Sequence, residues 1–157
     1  MTALTVLCAL GAATSAGAFF TFSDFTMQGL RGMEPARGAA AMQAINRAAP
    51  SPLFMILLFG TGAACLALGV LAGGRLEETG SWLRVVAAGL YVVGVVITTI
   101  AYHVPRNERL DGLDPESEEG RSYWAVYGRE WTRMNHVRTL TPLVAAALLV
   151  VSLLGEA

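Results

Sequence analysis

The chain has 157 residues, of which 54% are hydrophobic and 15% are charged, so it is too apolar for an ordinary soluble domain of this length. A net charge of −1 excludes the basic surface expected of a nucleic-acid-binding protein. All 11 basic residues are arginine, and the lack of lysine excludes Schiff-base catalysis and the lysine of a phosphate-binding loop.

Four stretches contain no Asp, Glu or Arg for at least 17 residues: 1–23, 48–74, 85–105 and 139–155. Roughly 17 to 25 helical residues cross a hydrocarbon core, and the stretches do not alternate as barrel strands do. We therefore predict an all-α membrane protein, a bundle of four transmembrane helices with interfacial helices in its two long loops. The prediction is one domain, 1–157, with spans near 1–23, 52–74, 82–104 and 138–155.

Small residues at helical spacing, Gly60 with Ala64 and Gly69 with Gly73, predict close approach of the helix backbones. Cys8 and Cys65 lie in apolar runs without a CxxC partner, so we expect two free, buried thiols.

The arginines predict the orientation of the bundle. Four spans place both termini beside the short 75–84 connection and bring the two long connections together at the other end. Nine of the 11 arginines lie on the long-loop side, and only Arg75 and Arg84 lie opposite. By the positive-inside rule, we expect a multi-pass protein of the cell membrane with cytoplasmic long loops and both termini outside.

Helical patterns continue into both long loops. Residues 38–48 form a short amphipathic stretch suited to the membrane interface. Asp114 followed by Pro115 predicts a helix start, and the helical pattern continues from there into the fourth span. Steps of three and four residues place one set along a single face of that helix: Trp124, Tyr127, Trp131, Asn135 and Arg138.

Polar residues mark the cytoplasmic ends of the predicted spans. The set comprises Asp24, His103, Asn135, His136 and Arg138 at the span ends, Gln43 and Asn46 in the short helix, and Asn107 and Arg109 in the turn after the third span. Ionisable groups at membrane depth are costly and usually paired or functional, so this layer is a candidate site.

Each member of this layer also has a structural interpretation. His103 could cap a helix end, and Asp24 could pair with Arg31 or Arg138. Trp124 and Trp131 could form an aromatic belt, Gln43 and Asn46 could satisfy backbone groups, and Arg109 and Arg138 could contact lipid phosphates.

Four segments carry a resemblance to a known family: residues 22–25 (FSDF), 41–47 (AMQAINR), 104–110 (VPRNERL) and 131–139 (WTRMNHVRT). In this order, and with the same four-span hydropathy, they resemble the DUF1772 family of small integral membrane proteins, which includes the fungal anthrone oxygenases. The Trp-x-x-x-Asn-His-x-Arg segment is the most specific part. The family's turn after the third span usually reads Asn-Val-Pro-x-Asn, whereas here His103 stands at its first position.

The resemblance implies oxidation of an anthrone-like polyphenol to a quinone by O₂. The roles predicted on this basis are a base (His136), oxyanion donors (Asn135 and Arg138) and a carboxylate that orients the base (Asp24). Trp124 and Trp131 would form a flat wall for the rings, and Gln43, Asn46, Asn107 and Arg109 would contact the substrate.

Two alternatives stay open at this point. In the first, His103, His136 and Asp24 hold a single non-haem iron or copper ion, whereas the roles given above need no cofactor. In the second, the protein is a non-enzymatic membrane module, either a small transporter or an assembly partner. The expected partners are the lipid bilayer and an apolar aromatic small molecule. We expect no binding of nucleic acid, and assembly into a homo-oligomer is left open.

Overall fold

The computed structural model describes residues 1–154, and over them it is all-helical, with 88% helix. Four continuous helices are long and apolar enough to cross a membrane: Thr2–Gly32, Pro52–Gly73, Ser81–Asp111 and Glu118–Leu154. The predicted fold class, an all-α protein with four membrane-crossing helices, is therefore confirmed.

Regular α-helices make up most of the described chain, and wider turns interrupt the long ones. The α-helices are α1 (Thr2–Thr21), α2 (Met27–Gly32), α3 (Pro35–Ala48), α4 (Pro52–Met55), α5 (Thr61–Gly73), α6 (Ser81–Tyr91), α7 (Val104–Asp111) and α8 (Glu118–Leu154). Four π-helical segments interrupt the long helices: Phe22–Thr26, Ile56–Gly60, Val92–Ile97 and Thr99–His103. Consequently α1 and α2 form the first long helix, α4 and α5 the second, α6 and α7 the third, and α8 the fourth, while α3 is separate.

The third long helix does not end at His103 but continues through α7 to Asp111. Pro105 lies in the first turn of α7, where it cannot donate a hydrogen bond and its ring crowds the carbonyl four residues earlier. The wider turn at Thr99–His103 accommodates this crowding, since π-helical turns bond five residues apart. The helix thus carries His103 and Asn107 on one continuous rod.

The start of α8 differs from the sequence prediction. Asp114 accepts a hydrogen bond from the Glu116 amide at 3.0 Å and so closes a turn that precedes the helix. The helix begins at Glu118, and the Ser117 hydroxyl caps it by accepting the Gly120 amide at 2.9 Å. Asp114 was therefore the wrong cap: a short polar side chain can stabilise a turn or a helix end equally well, and here Ser117 takes the second role.

Small residues bring the long helices together in the half of the bundle near the short connection. A Cβ at Gly62 would lie 2.7 Å from Val96, one at Gly69 would lie 2.8 Å from Ala88, and one at Gly94 would collide with the Thr141 side chain. Gly60 and Gly73, predicted to make such contacts, approach no other helix. Only the packed structure decides which face of a glycine-rich helix meets a neighbour.

The apolar core of this half contains both cysteines, which are free and buried as predicted. The Tyr91 hydroxyl lies 2.8 Å from the Ser15 hydroxyl and is the main polar contact between helices in this core. At its far end, the backbone of Ser152 lies beside Gly80, which has a φ of +79° and precedes α6. The end of the fourth helix therefore packs beside the short connection, as the four-span threading requires.

A second core lies at the long-loop end. It joins α2, α3, α7 and the first half of α8 around these buried side chains: Met27, Ala39, Met42, Leu110, Trp124, Tyr127 and Trp131. All five residues predicted along one face of α8 are buried, so the helical periodicity of that segment is confirmed. This second core closes the long-loop end of the bundle and supports the polar layer beneath it.

Candidate functional site

A cavity of about 330 Å³ lies between the two cores, where the first, second and third helices meet α3 and α8. This volume falls at the lower end of the range typical of small-molecule pockets. Its apolar wall consists of Ala18, Phe19, Phe22, Met42, Ile45, Ala49, Pro50, Phe54, Met55, Leu58, Phe59, Val104 and Trp131. Its polar members are Asn46, Thr99, His103, Asn107, Glu108 and Arg138. We refer to this space as the pocket.

The π-helical segments contribute to the pocket directly. Phe22, Leu58 and His103 each lie in a different one of these segments and line the cavity. Such segments often occur at functional sites because the extra residue per turn changes which side chains face inward.

Arg138 is the charged group deepest in the pocket and is 5% exposed. Its guanidinium donates to the Asn135 side-chain oxygen from Nε at 3.1 Å and from Nη2 at 2.7 Å, and to the Thr99 hydroxyl from Nη1 at 3.3 Å. Asn135 is held in turn, because its Nδ2 donates to the Phe19 carbonyl at 2.8 Å and to the Ser23 hydroxyl at 2.9 Å. The network fixes the guanidinium between the rings of Phe19 and Trp131, at 4.4 Å and 5.1 Å from Cζ.

No carboxylate pairs with Arg138 within residues 1–154. A buried cation without a counter-ion is expensive, so this guanidinium is suited to an anionic group of a ligand. Asn135 does not line the pocket itself and acts as the support that orients Arg138.

His103 lies beside this charge and is fully buried. Its ring meets the Trp131 ring edge-on, with 5.1 Å between centroids. Neither ring nitrogen makes a hydrogen bond of normal geometry with the part of the chain that the structure describes, and the Met134 backbone lies nearby. A buried polar group of this kind requires an explanation, and a binding partner in the pocket is one.

Asn107 forms the third polar element of the pocket. Its side-chain oxygen accepts from the Tyr127 hydroxyl at 2.8 Å and from the Trp131 indole at 3.1 Å. These two donors fix the amide, so its NH₂ group is left to donate elsewhere. Asn46 Nδ2 lies 3.4 Å from the same Tyr127 hydroxyl and completes this side of the cavity.

The structure does not place Asp24 and His136 in the pocket. Both are exposed, and neither lines the cavity. His136 follows Asn135 on α8, so its side chain points about 100° away around the helix from the buried face. Asp24 lies in the π-helical turn Phe22–Thr26, on the outer side of the first helix. The roles predicted for these two residues are therefore not supported by their positions.

The predicted metal-binding trio is not brought together. Among the described residues, no group of three His, Cys, Asp or Glu side chains could hold a metal ion. His103 is buried inside the bundle, whereas Asp24 and His136 face outward from different helices, so the three side chains cannot share one ion. Proximity to the ends of the spans brought them to one layer of the bundle but not to one point.

Three other predicted substrate contacts lie outside the pocket. Gln43 Nε2 donates to the Leu110 and Leu113 carbonyls, both at 2.8 Å, and so anchors the loop after α7. Trp124 stacks on Tyr127 with 5.8 Å between ring centroids in the long-loop core. Arg109 lies over the Tyr123 ring at 4.3 Å, on the outer surface of α8. Only Gln43 matches its structural interpretation, because Trp124 is buried in a core and not in an aromatic belt, and the ring contact of Arg109 does not test contact with lipid phosphates.

Sequence reasoning predicted Trp131 in the wall of the pocket but missed Thr99 and the phenylalanines of that wall. Phe19, Phe22 and Phe54 lie inside or next to charge-free stretches, where an apolar residue facing a pocket looks the same as one facing lipid. Thr99 is separated from His103 by four residues on the same helix, which places both at the pocket. That spacing was the one available indication.

The anthrone oxygenase family model matches residues 53–148, more than half of the chain. The match runs from the second helix through most of α8 and includes His103, Asn107, Trp131 and Arg138 of the pocket. No curated protein and no solved structure matches the chain. With its four membrane-crossing helices, the chain is a multi-pass membrane protein, and it belongs to the anthrone oxygenase family.

Proposed function

We propose that the protein is a membrane-embedded oxygenase that oxidises an anthrone-like or related aromatic polyphenol with O₂ in the pocket. The observation that carries this proposal is a buried guanidinium without a carboxylate partner beside a buried imidazole whose nitrogens make no hydrogen bonds within residues 1–154. Aromatic rings surround both groups. Such a site suits a flat aromatic ligand that develops negative charge on an oxygen atom.

The reaction converts a CH₂ group between two aromatic rings to a carbonyl. A base removes one proton from this carbon, and the electrons move onto the ring system and its carbonyl oxygen, which gives an oxyanion. The electron-rich carbon then combines with O₂. One oxygen atom stays on the carbon as the new carbonyl, and the other leaves as water with the two hydrogens of the original CH₂ group.

His103 is the residue that we assign as the base, in place of His136. In its neutral form an imidazole presents one nitrogen as a proton acceptor, and both His103 nitrogens are free of competing bonds in the described chain. A positioned general base typically contributes about 10² to 10⁴-fold to a rate. The Trp131 ring fixes the orientation of the imidazole.

Arg138 is the residue that we assign as the main oxyanion donor. It is already oriented by Asn135 and Thr99, so little reorganisation is required when charge develops on the substrate. The NH₂ group of Asn107 is a second candidate donor at the other polar corner of the pocket. Phe19, Phe22 and Trp131 form the wall against which the rings would lie.

The two histidines of the chain provide a matched test. His103→Asn keeps a polar side chain but removes the proton acceptor, and we expect turnover of an anthrone to fall by about 10²-fold or more. His136→Asn makes the same change on the exposed face of α8 and should leave turnover within about twofold of the parent. Quinone formation and O₂ consumption by protein reconstituted in vesicles measure both.

Each contrary result has a clear meaning. Full activity of His103→Asn would remove the base role of His103. Loss of activity only in His136→Asn would restore the assignment made from the sequence. An unmodified protein that converts no anthrone faster than the uncatalysed reaction would overturn the proposed function itself.

We also propose that the pocket faces the cytoplasm, at the membrane surface formed by the long loops. The excess of arginine on that side supports this orientation. Labelling of a cysteine introduced at exposed Arg37 in α3, compared with one at exposed Glu77 in the short connection, tests it in intact cells. The membrane-impermeant reagent should reach only the second cysteine.

A further inference from the structure

Most of the pocket wall is shielded, but one side is open. Of the residues that line the cavity, four are exposed: Pro50, Phe59, Val104 and Glu108. Every other lining residue is buried or half-buried. Pro50 lies in the loop between α3 and α4, Phe59 lies in the second long helix, and Val104 and Glu108 lie in the third. The opening therefore lies between these segments. We refer to it as the side opening.

The side opening reaches into the apolar part of the bundle. Phe59 is seven residues beyond Pro52, which corresponds to about 10 Å along the helix. Val104 lies near the end of the charge-free stretch 85–105. Ile56 and Ile100, each about one turn away on the same helices, are 67% and 54% exposed. Large apolar side chains exposed at this depth face lipid, so the Phe59 and Val104 edges of the opening face lipid too.

The packing of the two helices explains why a gap exists there. Their close contacts, Gly62 with Val96 and Gly69 with Ala88, lie toward the short connection. Toward the other end, the turn Ile56–Gly60 still contacts the turn Val92–Ile97, but α4 beyond it makes no extensive contact with the third helix among the described elements. The helices are therefore held together at one end and leave a space at the pocket end.

We infer that the side opening is the entrance through which an apolar, polycyclic aromatic substrate passes from the bilayer into the pocket. This inference rests on the proposed function, because it names the route and the substrate class of the same site. The apolar edges formed by Phe59 and Val104 admit the rings from the hydrocarbon. Glu108, at the polar end of the opening, accepts a hydrogen bond from a phenol at the edge of the rings.

An entrance has a kinetic property that a binding contact lacks. Narrowing it slows entry and exit by similar factors, so the association and dissociation rates fall together while Kd changes little. Loss of a contact inside the pocket instead raises the dissociation rate and Kd. This difference separates an entrance from a merely structural role.

The test uses an anthraquinone, which binds as the product does and is not turned over, with protein reconstituted in vesicles. Binding is followed by stopped-flow quenching of tryptophan fluorescence. Trp82→Phe serves as the parent, because Trp82 is 60% exposed and would respond to quinone in the lipid, whereas Trp131 lines the pocket.

Val104→Phe enlarges one edge of the opening and is expected to lower both rate constants by about tenfold. Ile100→Phe, an exposed apolar position on the same helix that does not line the cavity, should leave both unchanged. Phe59→Ala widens the opening and should raise both rates, compared with Ile56→Ala as its control. The observed association rate should follow the amount of quinone dissolved in the membrane.

Equal rates for Val104→Phe and Ile100→Phe would overturn the entrance and leave the proposed function intact, since catalysis is tested separately at His103. An association rate that follows only the aqueous quinone concentration would also overturn it. A parent protein that shows no saturable quenching does not bind a polycyclic aromatic ligand, and this result would overturn both the entrance and the proposed function.

Discussion

The two ends of the bundle are built from similar helices but differ in how closely those helices pack. Toward the short connection, the core around Cys8, Cys65 and Tyr91 is mainly apolar, with a fully buried Arg84 that donates to the Ser152 carbonyl, and glycines bring the helices into direct contact. At the long-loop end, the helices stand apart around a cavity, and buried polar side chains surround it.

On the proposed function, this difference separates the part of the bundle that provides stability from the part that provides catalysis. Close packing of small residues provides most of the attraction between helices in lipid, where the hydrophobic effect does not favour one helix over another. A buried guanidinium and an unpaired imidazole are costly in the same surroundings. On the proposed function, the protein keeps Arg138 and His103 for a ligand and not for folding. Three variants test this division, from the largest expected effect to the smallest.

Arg138→Met removes the charge of the pocket and keeps a long side chain. We expect turnover to fall by about 10² to 10³-fold, which is typical for loss of an oxyanion donor. Thermal stability in detergent should change little, because replacing a buried charge by an apolar side chain is often neutral or stabilising. Arg133→Met, at an exposed position on the same helix, is the control. Loss of activity in proportion to a loss of stability would assign Arg138 to the scaffold.

Gly94→Ala tests the packed half. Its Cβ would collide with the Thr141 side chain, and overpacking of this kind costs about 1 to 3 kcal/mol in the free energy of unfolding. Gly89→Ala makes the same change on the third helix where no atom lies within 4 Å, so its stability should not decrease. Reversible unfolding in mixed micelles measures both. A Gly94→Ala protein as stable as Gly89→Ala would show that close helix contact is not what holds this half together.

Gln43→Leu tests the support at the long-loop end. It removes both hydrogen bonds to the Leu110 and Leu113 carbonyls and is expected to cost about 1 to 2 kcal/mol. Tryptic cleavage after Arg109 and Arg121 should accelerate, since the loop between α7 and α8 is then less firmly held. Gln28→Leu, on the exposed side of α2, is the matched control. Unchanged cleavage together with lost substrate binding would return Gln43 to the predicted role in the pocket.

Periodicity predicted burial correctly where it was applied residue by residue. The steps along α8 placed Trp131, Asn135 and Arg138 on one buried face, and the structure confirms this burial. His136 does not belong to that series, yet the resemblance led to its assignment as the base. Neighbouring residues on an α-helix point about 100° apart, so two such side chains do not face the same pocket. The position of His136 along the helix axis was predicted correctly, but the direction of its side chain around that axis was not.

Amphipathic patterns are weakest where a side chain has no polar neighbour to indicate its surroundings. In the charge-free stretches, Phe19, which lines the pocket, and Phe20, which is exposed, are indistinguishable by hydropathy. The π-helical segments add to this difficulty, because each inserted residue rotates the part of the helix that follows. A regular helix drawn through Phe22–Thr26 or Thr99–His103 would place the wrong side chains inward.

By itself, the sequence determined that this chain is a four-helix membrane protein of the anthrone oxygenase family, because continuous apolar length and the order of short motifs do not depend on how helices pack. Only the tertiary structure decided that His103, rather than Asp24 or His136, shares a cavity with Arg138. That choice depends on helix rotation, on π-helical turns and on glycine contacts between distant segments. Each of these is set by packing between helices, which a linear pattern does not record.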